Sequence, residues 1–247
     1  MVIPNDNKME FLAKFRTVSL FNTLSDEDLL SISAYFNELN FEKESTVFYE
    51  RDMPSDIGSK IYFVLKGCIK LVKYSSSGES TIVRLATAGE FFGVTSVLTD
   101  LPMPYSAEAL TKATIISIEK ADFIRLLERF PKIALGIITK LGQVLWFSYE
   151  THNQVVKKSE TRIAKIILYH LDHDGYTPTP IGQQLNVQLP HDYIASMTGI
   201  AYEESVRIVS RMKREFGCLT YMRGGKIIVT NREKLTELAH GDDMMFH

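Results

Sequence analysis

Glu203, Arg207 and Arg211 recur every four residues, a spacing that on a helix places all three along one face. An Arg guanidinium is a planar fork that donates to guanine O6 and N7 together, and a carboxylate one turn away accepts from cytosine N4 or orients the fork. Glu203 and Arg207 therefore carry the chemistry needed to read a G·C pair in a major groove. The same spacing also describes an ordinary solvated Glu–Arg pair, worth only ~0.3–0.5 kcal/mol. Context favours the first reading. Val206, Val209 and Met212 recur every three residues and give a packing face to the same segment, predicted as a helix over Tyr202–Glu215. A short helix over Asp192–Thr198 precedes it across Gly199-Ile200-Ala201, and the runs Leu219–Met222 and Lys226–Val229 follow it as a hairpin around Arg223-Gly224-Gly225. Helix, short turn, helix and hairpin is the order of a winged helix-turn-helix. Arg223 and Lys226 flank the hairpin tip, where flexible cations reach phosphate without reading sequence; two ordinary surface charges are the alternative. Arg211, one turn beyond Arg207, joins them as an expected backbone contact.

The charge distribution agrees. The 247-residue chain has a net charge of −2, yet between Pro190 and Leu235 eight basic residues stand against five acidic ones. Cations are concentrated where a phosphate-binding surface would need them.

Other elements must position that module. Residues 9–37 read as helix, with Phe11, Leu12 and Phe15 on one face and Ser25 capping the acidic run Asp26-Glu27-Asp28. From about 39 to 119 the pattern changes to short β-rich runs, such as 61–65, 68–74, 81–85 and 113–118, separated by Lys66-Gly67, Ser77-Gly78 and Ala88-Gly89. Strands spaced this regularly predict a small β-roll or barrel. After a short helix over 121–130, Pro131 opens a long one running to about Val156, since its missing N–H costs nothing at a first helical position. Along it Ala134, Ile137, Leu141, Val144, Ser148, Thr151 and Val155 alternate spacings of three and four, a heptad pattern. We read Ile137, Leu141, Val144 and Ser148 as the heart of a dimer seam, with an amphipathic helix packed on its own domain as the alternative. A further helix over 160–171 leads into the turn-rich stretch 172–180. The expected class is α+β: a sensor roll over 9–130, a dimerisation helix over 131–157 and a winged helix-turn-helix over 158–239.

Several chemistries are excluded. Cys68 and Cys218 have no metal-ligand spacing, and two isolated thiols fit a reducing cytoplasm. No stretch approaches the ~18 apolar residues of a membrane span, and no basic-then-apolar leader opens the chain. All six histidines lie at His152 or later, so a metal-dependent enzyme on the roll lacks ligands. No nucleophile elbow, phosphate loop or zinc-protease motif is present, and no catalytic residue or metal site is assigned. A signalling module whose C-terminal part docks a protein remains a competing reading, against which the hairpin cations weigh.

Gly89-Glu90-Phe91-Phe92-Gly93, the Ser106-Ala107 pair, Arg162-Ile163-Ala164, Gly199 through Arg207 and Gly225 through Val229 follow one another in an order that resembles the CRP/FNR superfamily of bacterial transcription regulators. The resemblance spans about Phe21 to Leu235. It implies a homodimer joined through the long helix, with two recognition helices in successive major grooves about 34 Å apart on a palindromic operator, and RNA polymerase as a partner if the protein activates. Glu203 and Arg207 match the family's base-contacting positions; Tyr202, counted with them, stands where cyclic-AMP-binding members have Arg, and Ser205 where an apolar residue is usual. Those members also carry Gly-Glu in the phosphate cassette and Arg-Ser downstream, whereas here Gly93 is followed by Val94, and Tyr105 or Pro104 stands before Ser106. An anionic cyclic phosphate would lose its charge-assisted partner and the ribose its acceptor, which disfavours cyclic AMP. The iron–sulfur and haem branches lack their ligands. The expected effector pocket is walled by Phe92, Gly93, Val94, Met103, Tyr105 and Ser106 with Leu145 and Ser148 of the long helix, an apolar and aromatic lining suited to an uncharged or weakly anionic organic molecule; a filled core without ligand is the alternative.

Overall fold

A computed structural model describes residues 5–75, 78, 80–152 and 158–240, with backbone alone for 5–8 and 147–152. The chain divides into two compact units, Met1–Ser80 with Arg84–Val144, and Thr81–Val83 with Leu145–His247.

In the first unit α1 (Asn5–Arg16) and α2 (Asp26–Ile32) precede the strands. Ser25 caps α2 as its sequence requires, its Oγ accepting the Asp28 N–H at 3.1 Å. Helix ends at Ile32, followed by a 3-10 turn over Ser33–Tyr35, and Phe36 already opens β1 (Phe36–Phe41), three residues before the expected change. The Phe36 ring meets Phe15 and Phe21 edge-on at 5.1 and 5.6 Å, so aromatic packing fixes the strand's start. The roll continues through β2 (Thr46–Phe48), β3 (Lys60–Lys66), β4 (Cys68–Tyr74), β5 (Ser80–Thr87), β6 (Phe91–Phe92), α3 (Val94–Thr99), β7 (Ser106–Ala109) and β8 (Ala113–Glu119). These form two four-stranded sheets, ordered β1-β8-β3-β6 and β2-β7-β4-β5. The uninterrupted apolar run Ile61–Leu65 is buried throughout because β3 lies inside its sheet with both faces covered. Gly67 turns the chain between β3 and β4 at φ 87°, and a Cβ there would lie 2.3 Å from the Lys112 carbonyl oxygen.

α4 (Lys120–Arg129) buries Phe123 and Leu126 against this core, and α5 (Pro131–His152) follows. Its packing removes Ile137 from the expected seam. Ile137 is only 3 % exposed and belongs, with Ile133, to the core of the first unit. At Gly136 a Cβ would stand 2.5 Å from Leu20 Cδ2, so this face is pressed onto its own domain. The apolar stripe left in solvent is rotated by one residue: Leu135 and Ile138 are 64 % and 65 % exposed, and exposed Gly142 and Leu145 continue the spacing of three and four. Leu141 and Val144 are half-buried flanks. The Ser148 and Thr151 side chains, and Val155, fall outside the described residues.

The second unit contains α6 (Ser159–His173), β9 (Tyr176–Thr179), β10 (Gly182–Leu185), α7 (His191–Thr198), α8 (Tyr202–Arg214), β11 (Leu219–Met222), β12 (Lys226–Val229) and α9 (Arg232–His240). Its sheet runs β11-β12-β10-β9. The stretch expected as turns from 172 to 180 holds an edge strand over Tyr176–Thr179; Pro178 is tolerated in β9 because an edge leaves one row of backbone groups unpaired. α9, absent from the sequence reading, packs Leu235 and Ala239 into the core beside α6. Among the described residues no helix is long and apolar enough to cross a membrane.

Candidate functional site

α7 and α8 owe their angle to a glycine. Gly199 ends α7 at φ 64°, a left-handed conformation natural to glycine, and its N–H satisfies a last-turn carbonyl. Two residues later Ala201 stands at the N-cap of α8, which carries Glu203 and Glu204 at its positive end and Arg211, Lys213 and Arg214 at its negative end. The buried face of α8 is Ser205, Ile208, Val209 and Met212. Val206 is exposed, so the packing stripe expected through it sits on Ser205 and Ile208 instead.

The opposite face offers Tyr202, Glu203, Val206 and Arg207 to solvent, with Lys213 and Arg214 beyond. Arg207 has a side chain 73 % exposed and its ion pair, 3.8 Å long, is with Glu204 rather than Glu203. Arg211 departs from the expected arrangement. Its guanidinium turns to Glu160 of α6, pairing α8 with α6, because the last turn of α8 packs on that helix and a carboxylate waits there. It is therefore engaged inside the domain rather than displayed beside Arg207.

Beyond α8, β11 and β12 join through Arg223-Gly224-Gly225, with Arg223 and Lys226 exposed at the tip. The hairpin turn is fastened to the residues just before α7: the Leu189 N–H donates to the Gly225 carbonyl at 2.7 Å, and the Tyr221 hydroxyl to the Leu189 carbonyl at 3.2 Å. Gly225 has φ 82°, and a Cβ on it would lie 2.8 Å from backbone atoms of Leu189 and Pro190. Recognition face and hairpin cations thus share one rigid junction.

In the roll, Gly93 holds φ 82° and lets Phe92 end β6 while Val94 begins α3, both buried. Phe92 stacks on Tyr62 with ring centres 5.1 Å apart, and Phe48 stands 5.9 Å from Phe92 and 6.1 Å from Tyr105. Burial pushes the Tyr62 phenol up to about 12, keeping it neutral. The Ser106 hydroxyl accepts the Glu50 N–H at 2.9 Å, and Met103 is buried. Phe92 and Tyr105 are thus brought together around Phe48; Leu145 is exposed, and the Ser148 side chain is not described. Sequence reading missed Phe48 and Tyr62 as members of this cluster, although Tyr62 sits in the recognised run 61–65. It also missed Arg84 of β5, whose guanidinium donates to the Phe91 carbonyl and whose Nε is buried without a hydrogen-bond partner. A separate groove of about 310 Å³ lies between α1 and β1, lined by Phe11, Phe15 and Phe36 with Glu10, Lys14 and Glu38, and none of the expected pocket residues lines it. Among the described residues no three His, Cys, Asp or Glu are placed to hold a metal ion.

Residues 38–130 match the cyclic nucleotide-binding domain family and residues 161–238 the Crp-like helix-turn-helix domain family. Over 223 residues the chain is 23 % identical to the cyclic AMP receptor protein of Thermus thermophilus, covering 90 % of this chain and 97 % of that one. It is 26 % identical over 200 residues to the global nitrogen regulator of a Synechocystis species, covering 79 % and 82 %. Among solved structures, FixK2 from Bradyrhizobium japonicum superposes with a TM-score of 0.67 at 16 % identity, covering 82 % of this chain and 96 % of that one. With an effector-type roll and a Crp-like helix-turn-helix in one polypeptide, and transcription regulators as its relatives along most of its length, the chain belongs to the CRP/FNR family of DNA-binding transcription regulators.

Proposed function

We propose that this regulator binds a palindromic operator as a homodimer, and that its roll responds to a small organic effector other than cyclic AMP. The observation that carries the reading is the division of α8 into a wholly buried face and an outward face bearing Tyr202, Glu203 and Arg207. Arg207 takes guanine O6 and N7, Glu203 accepts from the cytosine of that pair, and Tyr202 lies over the neighbouring base. Arg223 and Lys226 bind phosphates and set the register of the domain on the duplex. Arg211, held by Glu160, stiffens α8 instead of touching the backbone.

The second copy is joined through the exposed stripe Leu135, Ile138, Gly142 and Leu145, in which Gly142 allows close helix approach. RNA polymerase is the further partner if binding activates transcription, and the protein works where that DNA is, in the cytoplasm. The sensor spans 9–130, the dimerisation segment 131–157, of which α5 forms Pro131–His152, and the reading head 158–239.

In the roll, Val94 occupies the acidic position and Tyr105 or Pro104 the basic position that a cyclic phosphate and its ribose need. The aromatic cluster of Phe48, Tyr62, Phe92 and Tyr105 favours an uncharged or weakly anionic organic molecule over a nucleotide. Its binding shifts the population between two arrangements of the paired α5 helices, with no chemistry at the sensor. The test is selection of bound duplexes from a random library at fixed salt, with and without a pool of cellular metabolites. A palindromic consensus that sharpens or weakens with metabolites supports the reading; salt-sensitive binding indifferent to sequence in both conditions rejects it.

A further inference from the structure

Ser205 is a hydroxyl on the otherwise apolar packing face of α8, and it is fully buried. A buried hydroxyl is costly unless it is hydrogen-bonded. Its partner is His191, the first residue of α7, whose Nδ1 lies 3.1 Å from the Ser205 Oγ. The imidazole also stacks on Tyr221 of β11, with ring centres 4.2 Å apart and planes inclined 29°, and meets the Tyr202 ring edge-on at 6.0 Å. Tyr221 is in turn tied to Leu189, and Leu189 to Gly225 at the hairpin tip. One imidazole therefore touches the first helix, the recognition helix and the wing.

We propose that His191 is a positioning residue for base reading: it fixes the pitch of α8 against the wing, so that Glu203 and Arg207 reach base edges while Arg223 and Lys226 sit on phosphate. This rests on the DNA-binding reading given above and adds a residue that touches no base. Truncating it frees α8 to tilt against the wing, and a small tilt is enough to take a bidentate Arg contact out of its plane.

The junction works with a neutral ring. Facing His191 are Asp192 on its own helix, Ser205 and Tyr202 from α8, and Tyr221 from the wing. Burial lowers the imidazole's pKa from its ordinary 6.5, and the nearby Asp192 carboxylate opposes that only in part. The ring's contribution to the folded junction is thus fully present above the ordinary value and is lost as pH falls through the lower folded-state value. Burial disfavours the charged ring in this packed arrangement more than the Asp192 carboxylate favours it, so a proton weakens the junction. The same added charge attracts phosphate at any sequence. Acid therefore separates two quantities that usually move together, lowering discrimination between duplexes while raising indiscriminate affinity.

The experiment is a competition titration on the full-length dimer, comparing the selected operator with a scrambled duplex at fixed salt from about pH 7.5 to about pH 5.5. Three proteins are compared: the wild type, His191→Gln and His191→Ala, each with its thermal unfolding followed by circular dichroism. The wild-type ratio of operator to scrambled affinity falls as the ring gains its proton, by about tenfold when protonation is complete, the size of one lost base contact. His191→Gln, whose amide still meets Ser205 and never ionises in this range, keeps the neutral-pH ratio and shows a flat profile. His191→Ala unfolds cooperatively yet discriminates poorly at every pH. A flat wild-type ratio, or a His191→Gln profile that falls like the wild type, overturns the proposal while leaving sequence reading intact. Absence of any discrimination by the wild type at about pH 7.5 overturns the DNA-binding reading itself, and this proposal with it.

Discussion

Arg207 and Arg211 stand one turn apart on α8 and end in opposite surroundings: the Arg207 guanidinium is displayed to solvent, whereas that of Arg211 is held by Glu160 of α6. The two alanine variants should separate accordingly. Arg207→Ala leaves thermal stability unchanged and costs about 1–3 kcal/mol of operator binding, relaxing base choice at one position per half-site. Arg211→Ala costs about 1 kcal/mol in chemical denaturation, a modest figure because the pair is partly exposed. Equal stability loss in both variants would contradict the assignment.

Ile138 and Ile137 are adjacent in sequence and differ as sharply, one outside and one in the core. Ile138→Glu should yield a folded monomer in sedimentation, with loss of tight operator binding. Ile137→Glu should instead unfold the first unit, since an unpaired carboxylate would be forced into a packed site. A dimeric Ile138→Glu protein would mean that the second copy sits elsewhere.

The two glycines of the wing turn make a controlled pair. Both have positive φ, 83° and 82°, but only Gly225 faces backbone, at 2.8 Å, while Gly224 has open space. Gly224→Ala pays only the left-handed conformation, about 1–2 kcal/mol. Gly225→Ala pays that and must also push the hairpin from Leu189 and Pro190, so its melting temperature falls further and binding to every duplex weakens. Identical melting temperatures would show that the junction is slack.

On the roll, Glu108 is flanked by Lys70 at 2.8 Å and by the Tyr74 hydroxyl. Burial alone would raise its carboxyl, but the hydrogen bonds from Lys70 and Tyr74 outweigh it and hold the group below its usual 4.5. Its stabilising contribution is therefore present above that ordinary value and is lost as pH falls through the lower folded-state value. Glu108→Gln should lower the melting temperature at neutral pH and flatten its decline in acid. A variant whose acid decline matches the wild type would remove Glu108 from the account.

Much of this architecture was legible because local signals agreed with one another. Ser25 before three acidic residues, Pro131 before an apolar helix, and Gly199 between two short helices each had one physical solution, and the chain adopts it. Ile137 was read as a seam residue and is buried in its own unit for a definite reason. α5 is apolar at 133–135, 137–138, 141 and 144–147, so two stripes satisfy the three-and-four spacing, and only tertiary packing against Leu20 decides which is internal. Pro178 hid β9 because edge position, which licenses it, is a property of the sheet rather than of the segment. β2 and β6, three and two residues long, are too short for an alternation to register. Arg211 looked like a neighbour of Arg207 because Glu160 lies 51 positions away in sequence and on the adjacent helix only in space. Ser205 was visible as a departure from the family pattern, but its meaning needed His191 beside it.

The most direct test of the account is parallel selection from a random duplex library by the wild type and by Arg207→Ala at the same salt. The account predicts that the wild type enriches two inverted half-sites with centres about one helical turn apart, each with a fixed G·C pair, and that the variant retains the spacing while losing preference at that pair alone. Enrichment of the same G·C pair by both proteins, or no inverted repeat from the wild type, would contradict it.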